Sequence, residues 1–159
     1  MSVEHVYTSR LVWEGNLGGG TSSYQGYSRQ WRARMDGKLD IVGTADPTFR
    51  GERDKHNPED LLVASLSACH MLTYLALCVR NKISVLSYSD EASGVMKTTP
   101  EGGGRFESVT LRPNVEIADN SKKTLAMKLH VQAHSLCFIA CSVNFPVLHD
   151  AVVTASIPP

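Results

Sequence analysis

The fold is decided by residues 57–81, NPEDLLVASLSACHMLTYLALCVRN, which predict one long helix with a cysteine near its middle. Asn57 can cap this helix, and Pro58 suits its first position. The next two residues are acidic, and the helix dipole favours negative charge in the first turn. Residues 61–79 contain no charged side chain. We therefore expect a single apolar helix that begins near Pro58.

The apolar side chains of this helix are spread around it rather than confined to one narrow stripe. Such a helix is either buried in a protein core or crosses a membrane. Four polar residues interrupt the apolar run: Ser65, Ser67, His70 and Thr73. No other stretch resembles a membrane span, so we expect a core helix and no association with a membrane.

Length and composition favour one domain in a reducing compartment. The chain has 159 residues, which suits a single domain, residues 1–159. Its 16 basic and 16 acidic side chains give no electrostatic footprint for nucleic acid or an anionic membrane surface. The first residues lack the apolar segment of a secretory signal, and the chain has four cysteines. Such cysteines are more often redox, metal-binding or core groups than structural disulfides, so we expect a cytoplasmic protein.

Residues 27–35, YSRQWRARM, alternate with the period of a strand. One face carries Tyr27, Arg29, Trp31, Ala33 and Met35. Arg29 is then a charge on the apolar face, where a guanidinium is costly unless it is paired. Either its stem packs at the rim while its head reaches water, or it is a functional arginine with a carboxylate partner.

The other segments complete the prediction of an α+β fold with an N-terminal antiparallel sheet, a core helix, a second sheet segment and another helix. Extended segments are expected at residues 3–13, 27–35, 38–44, 83–88, 94–99 and 106–117, with one last strand within residues 145–157. Asp36-Gly37 predicts a tight turn. Pro113 indicates an edge strand or a bulge.

A second helix is expected from about Asn120 to Ser142, capped by Asp119, Asn120 or Ser121. Its predicted apolar face consists of Leu125, Leu129, Ala133, Leu136 and Ala140. His130, His134, Cys137 and Cys141 would lie near one face, but its ends would be about 16 Å apart, so one ion cannot bind all four. We expect no metal site and interpret His130 and His134 as packing or surface residues.

Cys69 is either a core residue or a thiolate that takes positive charge from elsewhere. It lies about twelve residues into the helix, beyond the reach of the helix dipole, which fades within the first turn. A thiol buried among apolar groups is inert, so a reactive Cys69 needs a cation, and Arg29 and Arg50 are the candidates. Glu59 precedes Cys69 by ten residues, roughly 15 Å along a helix axis. If Glu59 belongs to the same site, it arrives from a second copy of the helix, which argues for a symmetric dimer.

Two motifs carry a resemblance to the OsmC/Ohr family, the osmotically inducible and organic-hydroperoxide-resistance proteins. Residues 57–70, NPEDLLVASLSACH, resemble the family's signature helix. Residues 133–143, AHSLCFIACSV, resemble its second cysteine motif. The resemblance implies a fold of antiparallel sheets wrapped around two long central helices. It also implies an intertwined homodimer with two sites at the subunit interface.

The resemblance also implies the chemistry, a cysteine-based reduction of organic hydroperoxides. Cys69 matches the peroxidatic cysteine, Cys137 the resolving cysteine, and Glu59 the glutamate that holds the catalytic arginine. Ohr-type members point to Arg29 as that arginine and OsmC-type members to Arg50. We choose Arg29 because the strand alternation also turns it inward. Cys141 departs from the family pattern, and it stands one helical turn from Cys137.

The implied cycle oxidises Cys69 to a sulfenic acid, which condenses with Cys137 to a disulfide. An external dithiol then reduces the disulfide, and the family implies a lipoyl-type donor. Neither metal nor organic cofactor is required. Apolar residues near the thiol would suit an organic hydroperoxide, and we expect the substrate pocket to contain Leu66, Met71, Leu72 and Trp31.

Two other interpretations stay open. The first is a non-enzymatic thiol redox switch, or a module that binds a small ligand, on the same fold; Cys141 makes it plausible. The second is purely structural, with all four cysteines buried and inert. Thiol reactivity separates the structural interpretation from the others, and multiple turnover separates a peroxidase from a switch.

Overall fold

The computed structural model describes residues 3–156, so the last residue of the predicted C-terminal segment, Ile157, lies outside the described residues. Contacts divide the chain into two compact units, Met1–Leu61 and Leu62–Pro159. Each unit has its own sheet or sheets. The prediction of a single domain over residues 1–159 stays a prediction.

The first unit contains one antiparallel sheet in the order β1-β2-β3. Its strands are β1 (Arg10–Trp13), β2 (Trp31–Arg34) and β3 (Ile41–Gly43), followed by a 3-10 turn at Pro47–Phe49. The predicted turn at Asp36-Gly37 is confirmed, since Gly37 has φ 73° and the Lys38 N–H donates to the Met35 carbonyl at 3.1 Å.

The predicted first strand is too long. The observed strand begins at Arg10, and residues 3–9 form no strand. Val3, Val6 and Tyr7 are apolar but do not alternate regularly, and all three are exposed, so no core face fixes them in a sheet. Strand β2 is likewise shorter than residues 27–35, and it leaves Tyr27 and Arg29 in the preceding loop.

Gly43 matters in this sheet because the ring of Trp31 covers it. Trp31 pairs with Gly43 in the register, and its indole N–H donates to the Thr44 carbonyl at 2.9 Å. A Cβ at position 43 would come within 2.1 Å of the indole ring. Glycine therefore allows the indole to lie flat against the strand.

The predicted long helix is confirmed as α1 (Pro58–Arg80). The Asn57 side chain accepts the Asp60 N–H at 2.8 Å, and the Asp60 carboxylate accepts the Asn57 N–H at 3.3 Å. This reciprocal pair is a capping box in which aspartate stands in for the usual glutamate. Beyond the last turn Lys82 adopts φ 55°, and the Ile83 N–H donates back to the Cys78 carbonyl at 2.9 Å. A left-handed residue of this kind commonly ends a helix.

Helix α1 is buried on one face only. Its buried residues are Leu66, His70, Tyr74, Leu77 and Cys78. A second row is exposed and consists of Ala64, Ala68, Leu72, Ala76 and Val79; we call it the α1 stripe. By length and apolarity α1 could cross a membrane, a test that core helices of soluble proteins also pass. The expectation of a core helix thus holds for the buried face, whereas the α1 stripe is apolar and uncovered.

The second unit contains two mixed sheets of three strands. Their strands are β4 (Val85–Asp90), β5 (Ser93–Thr98), β6 (Gly104–Leu111), β7 (Pro113–Ile117), β8 (Val147–His149) and β9 (Val152–Ala155). The orders are β4-β7-β9 and β5-β6-β8, in which β9 runs parallel to β7 and β8 parallel to β6. The predicted α+β fold is confirmed, and the N-terminal sheet is antiparallel as expected. Each sheet of the second unit, however, includes one parallel pair, so these sheets are mixed. The single last strand expected within residues 145–157 is corrected to two strands, β8 and β9.

Pro113 is neither on an edge strand nor at a bulge. It is the first residue of β7, the central strand of its sheet. Proline lacks an N–H donor, and the first position of a strand is one place where that loss is tolerated. The segment expected at residues 106–117 is consequently two strands that separate at Arg112.

The second helix, α2 (Lys123–Leu136), is shorter than predicted. A 3-10 turn at Asn120–Lys122 precedes it, and the Asp119 carboxylate caps that turn by accepting the Ser121 N–H at 2.9 Å. The helix ends at Leu136 because Cys137 adopts ψ 110°. Its buried residues are Ala126, Leu129, His130 and Ala133, whereas the predicted face residues Leu125 and Leu136 are exposed.

Two apolar clusters form the core of the second unit. The larger joins the C-terminal half of α1 and helix α2 to the β4-β7-β9 sheet, with Tyr74, Leu77, Val115 and Leu129 among its members. The smaller joins Leu66 to residues of β6 and β8. Helix α1 therefore contributes to both clusters, and Cys69 lies on it between Leu66 and Tyr74.

Candidate active site

Two cysteines from distant parts of the sequence meet in the second unit. Cys69 is half-buried in the middle of α1, and Cys137 is 1% exposed at the C-terminus of α2. The Cys69 thiol lies close enough to Cys137 to raise the pKa of that group. Both are free thiols. The structure therefore brings together the two cysteines that the sequence motifs single out as a redox pair.

The surroundings of Cys137 keep its thiol protonated. Burial raises the pKa of Cys137, and the neighbouring Cys69 thiol raises this pKa further. The backbone N–H groups of Ala140 and Ile139 act in the opposite direction and lower this pKa. The backbone of the turn after α2 therefore favours the thiolate form of Cys137, and burial outweighs it.

The other two cysteines differ sharply in exposure. Cys78 is buried, and burial raises its pKa, which agrees with an inert core thiol. Cys141 is exposed in a 3-10 turn at Ala140–Ser142, and its thiol donates to the Ser135 carbonyl at 3.5 Å. Because α2 ends at Leu136, the predicted stripe of two histidines and two cysteines on one helix does not exist.

Arg29 is held by the loop that precedes β2, in the first unit. Its two terminal nitrogens donate to the Tyr27 and Tyr24 carbonyls, both at 2.6 Å. The guanidinium also lies over both tyrosine rings, 4.0 Å from the Tyr27 centroid and 4.3 Å from the Tyr24 centroid. Within residues 3–156 no carboxylate pairs with Arg29, and three of its five N–H donors make no hydrogen bond.

Arg29 lines an apolar cavity of about 360 Å³ in the first unit. The lining consists of Trp13, Tyr27, Arg29, Trp31, Thr44, Ala45, Asp46, Phe49, Pro58 and Glu59. Three residues that the sequence analysis singles out, Arg29, Glu59 and Trp31, thus line one cavity. Glu59 and Arg29 share this lining without forming an ion pair in the part of the chain that the structure describes.

Arg50, the alternative arginine, is not among the residues that line this cavity. It is exposed and adopts φ 67°, a left-handed conformation at the end of the 3-10 turn Pro47–Phe49. Its N–H donates to the Pro47 carbonyl at 3.0 Å and closes that turn. The structure therefore gives Arg50 a role in the turn, and its side chain reaches solvent.

The three other residues predicted for the substrate pocket lie on α1 and differ in exposure. Leu66 is completely buried in the smaller apolar cluster, so it serves the core rather than a substrate surface in this conformation. Met71 is half-buried, and Leu72 is 63% exposed on the α1 stripe. Only Trp31 of the predicted set lines the cavity that contains Arg29.

Sequence reasoning missed a group of four histidines in the second unit. The His70 and His130 rings stack with Nε2 of His70 3.1 Å from Nδ1 of His130, and Tyr74 stacks on His130 with centroids 3.9 Å apart. The His149 ring lies 5.7 Å from His70 and 5.9 Å from His134, centroid to centroid. Nothing in the sequence indicates this contact, because His70 and His130 are sixty residues apart.

Burial keeps the central pair of histidines neutral. His70 and His130 are 1% and 0% exposed, and burial lowers the pKa of His70 to about 4 and that of His130 to about 3. One ring nitrogen of each, Nδ1 of His70 and Nε2 of His130, has no hydrogen-bond partner within residues 3–156. Among the described residues no group of three or more histidines, cysteines or carboxylates could hold a metal ion.

A family model and a solved structure both relate the chain to OsmC-like proteins. A family described as OsmC-like protein matches residues 51–150. An OsmC-like protein of unknown function from Vibrio cholerae is 31% identical, with a TM-score of 0.84 over 94% of this chain and 100% of that one. No curated protein matches the chain significantly.

Two more distant structures share the fold. The first is an organic hydroperoxide resistance protein from Elizabethkingia anophelis, 20% identical, with a TM-score of 0.69 over 98% of this chain and 100% of that one. The second is the organic hydroperoxide resistance protein OhrB of Bacillus subtilis, also 20% identical, with a TM-score of 0.62 over 93% and 98%. At these identities the likeness shows the fold alone.

Proposed function

The chain belongs to the OsmC-like protein family, and from this premise we propose that it is a thiol peroxidase that reduces organic hydroperoxides through Cys69 and Cys137. The observation that carries the proposal is the proximity of these two thiols within the second unit, where Cys69 raises the pKa of Cys137. Some proteins that share this fold are named as organic hydroperoxide resistance proteins, which agrees with the substrate class.

In the proposed cycle the Cys69 thiolate attacks the distal oxygen of the peroxide. The O–O bond breaks, the alcohol leaves, and Cys69 becomes a sulfenic acid. Cys137 then attacks this sulfur and releases water, which leaves a Cys69–Cys137 disulfide. The N–H groups of Ile139 and Ala140 support the thiolate form of Cys137 needed for this step. An external dithiol of the lipoyl type restores both thiols by exchange.

Arg29 is the residue to which we assign stabilisation of the Cys69 thiolate. Its position on the lining of an apolar cavity supports this role, as do the three N–H donors that remain unused within residues 3–156. Glu59 lines the same cavity and is proposed to orient the guanidinium during the reaction. The cycle uses neither metal nor organic cofactor, and we propose that it operates in the cytoplasm.

A homodimer with its sites at the subunit interface is part of the proposal. The α1 stripe supports it, because five apolar residues form an uncovered row along the longest helix. Small residues such as Ala64 and Ala68 allow two helices to approach closely.

The first experiment adds one equivalent of an organic hydroperoxide to the reduced protein and follows it by mass spectrometry with non-reducing peptide mapping. We expect the loss of two hydrogens, localised to a Cys69–Cys137 link. The absence of any oxidation at Cys69 would rule out the peroxidase. If the Cys69–Cys137 disulfide forms but an external dithiol drives negligible turnover, the protein is a thiol switch. The burial of Cys137 is compatible with that outcome.

Substitution of Arg29 tests the assignment of the cation. We expect Arg29→Ala to lower the rate constant for Cys69 oxidation about a hundredfold or more, the size that loss of one charged donor in an active site produces. Arg29→Lys should restore little of this rate constant. The single ammonium of lysine cannot donate to the Tyr24 and Tyr27 carbonyls in the way that the two nitrogens of the guanidinium do. Stopped-flow measurement of the peroxide step checks both variants.

Arg34→Ala is the matched control, since Arg34 is exposed and pairs with Asp40 at 3.4 Å. It should react at the wild-type rate. If Arg29→Ala reacts normally and Arg50→Ala does not, the catalytic role belongs to Arg50.

A further inference from the structure

The turn that follows α2 joins two cysteines of opposite exposure. Cys137 is 1% exposed, whereas Cys141 is exposed. The Cys141 N–H donates to the Cys137 carbonyl at 3.0 Å, so the two residues stand one backbone turn apart. Residues related in this way have Cα atoms about 6 Å apart, within the range that a disulfide can bridge.

The burial of Cys137 creates a difficulty for the step in which an external dithiol reduces the Cys69–Cys137 disulfide. Reduction of a disulfide requires a thiolate to approach one of its sulfurs in line, so access limits the rate. In a Cys69–Cys137 disulfide the Cys137 sulfur is enclosed by the protein, and Cys69 is half-buried on α1. An exposed thiol one turn from Cys137 can take over the disulfide at the surface. An external dithiol then does not need to reach the buried Cys137 sulfur.

We propose that Cys141 is a third redox cysteine, which transfers the disulfide from the buried pair to the surface. This inference rests on the proposed function and deepens it by naming the sulfur that meets the reductant. The Cys69–Cys137 disulfide is an intermediate, and a Cys137–Cys141 disulfide is the form that the external dithiol reduces.

The transfer is a thiol–disulfide exchange in which electrons balance without another reactant. Cys141 loses its proton to solvent, and its thiolate attacks the Cys137 sulfur. The Cys137–Cys141 bond forms while the Cys69–Cys137 bond breaks, and Cys69 leaves as the thiolate that the next peroxide needs. The external dithiol then gives two electrons and two protons to the Cys137–Cys141 disulfide and becomes a disulfide itself.

The local geometry favours this exchange. Among residues 3–156 the Cys141 thiol is held only by a weak bond to the Ser135 carbonyl at 3.5 Å, so it can rotate at little cost. The backbone N–H groups of Ala140 and Ile139 lower the pKa of the Cys137 thiol, so they favour negative charge at this sulfur. Donors at the central sulfur stabilise the charge that spreads over three sulfurs during an exchange.

The test begins with a thiol oxidant, so that it does not depend on peroxide chemistry. Reduced protein receives one equivalent of diamide, is quenched with acid and N-ethylmaleimide at successive times, and is digested with chymotrypsin. Cleavage after Phe138, which is 81% exposed, separates Cys137 from Cys141 and makes the links assignable. We expect a Cys69–Cys137 link first, and then its conversion to a Cys137–Cys141 link as Cys69 becomes alkylated.

The second arm measures the rate at which dihydrolipoamide reduces the disulfide of the oxidised protein. Cys141→Ser should be reduced at least tenfold more slowly than wild type, while its first oxidation by an organic hydroperoxide keeps the wild-type rate. Cys141→Ser combined with Ser142→Cys is the matched control, because it keeps an exposed thiol but moves it one residue around the turn. We expect this double variant to behave as Cys141→Ser does.

The outcomes separate the two proposals. If Cys141 stays alkylated in all oxidised protein, or if Cys141→Ser is reduced as fast as wild type, the transfer is overturned and the two-cysteine peroxidase remains. If diamide produces the Cys137–Cys141 link but hydroperoxide oxidises no thiol, the proposed peroxidase function is wrong. The disulfide transfer to Cys141 is then retained as part of a thiol switch.

Discussion

The buried histidine pair is a residue-scale feature that stability measurements can detect. His70 and His130 share one contact between ring nitrogens and are sealed from water. Apart from each other, the titratable groups that act on them are His149, His134 and Asp90. Only Asp90 favours the charged form, and burial outweighs it.

We expect the free energy of unfolding to fall as pH drops from about 6.5 toward 4. The folded-state pKa values of about 4 and about 3 lie below the ordinary value of 6.5, so in this window the unfolded chain binds protons that the folded chain does not. Stability is therefore full above pH 6.5 and is lost in acid, by up to about 1.4 kcal/mol per pH unit for each histidine. Urea denaturation at half-unit pH steps measures the slope.

His130→Gln should flatten this slope, because it removes one of the two groups. His5→Gln is the control, since His5 is exposed, and its slope should match wild type. Equal slopes for His130→Gln and wild type would contradict the assignment of the acid sensitivity to the buried pair.

At the same scale, sequence identifies residues better than it identifies their neighbours. Cys69 and Cys137 could be selected because each lies in a recognisable motif, and Arg29 because strand alternation turned it inward. Arg29 nevertheless lies in a loop, where the Tyr24 and Tyr27 carbonyls hold it instead of a carboxylate. The His70–His130 contact could not be predicted, because only the packing of α1 against α2 creates it.

At the scale of elements, the capping box at the start of α1 connects local stability to the cavity. Asn57→Ala removes the side chain that accepts the Asp60 N–H and should lower the free energy of unfolding by about 1 kcal/mol. Glu59 lies in the same first turn and lines the cavity, so fraying there would also displace its carboxylate. Urea denaturation and amide exchange at Asp60 measure the effect.

Asn57→Asp is the matched control, because aspartate caps a helix about as well as asparagine does. It should unfold at the wild-type urea concentration. If Asn57→Ala also unfolds there, the cap contributes nothing to the first turn.

Elements were predictable where their signals are local. Helix α1 carries its own cap, acidic first turn and apolar run, and both of its ends agree with the sequence. The end of α2 has no such signal: Phe138, Ile139 and Ala140 are compatible with a helix, yet the chain leaves the helix at Cys137, which adopts ψ 110°. Strand pairing is the least local property, and the parallel positions of β8 and β9 could not be predicted.

At the scale of the whole molecule, the α1 stripe makes the association of two copies testable. We expect the wild-type protein to be a dimer and Leu72→Glu to be a monomer, because a carboxylate in an apolar helix contact would lose its hydration without a partner. Sedimentation velocity over a range of concentrations measures the association.

Val131→Glu provides the control, since Val131 is a comparably exposed apolar residue, 64% exposed, on α2. This variant should remain dimeric. A monomeric wild-type protein, or a dimeric Leu72→Glu variant, would show that the α1 stripe does not join two copies.

The parallel pairing of the last two strands has a consequence for biosynthesis. Strand β8 completes one sheet of the second unit and β9 completes the other, yet both come after every other strand in the chain. A ribosome therefore extrudes α1 long before either sheet can close over its apolar residues. During translation this helix is a natural ligand for chaperones that hold exposed apolar segments. Emergence of β8 and β9, rather than emergence of the helices, is then the event that allows both sheets of the second unit to form.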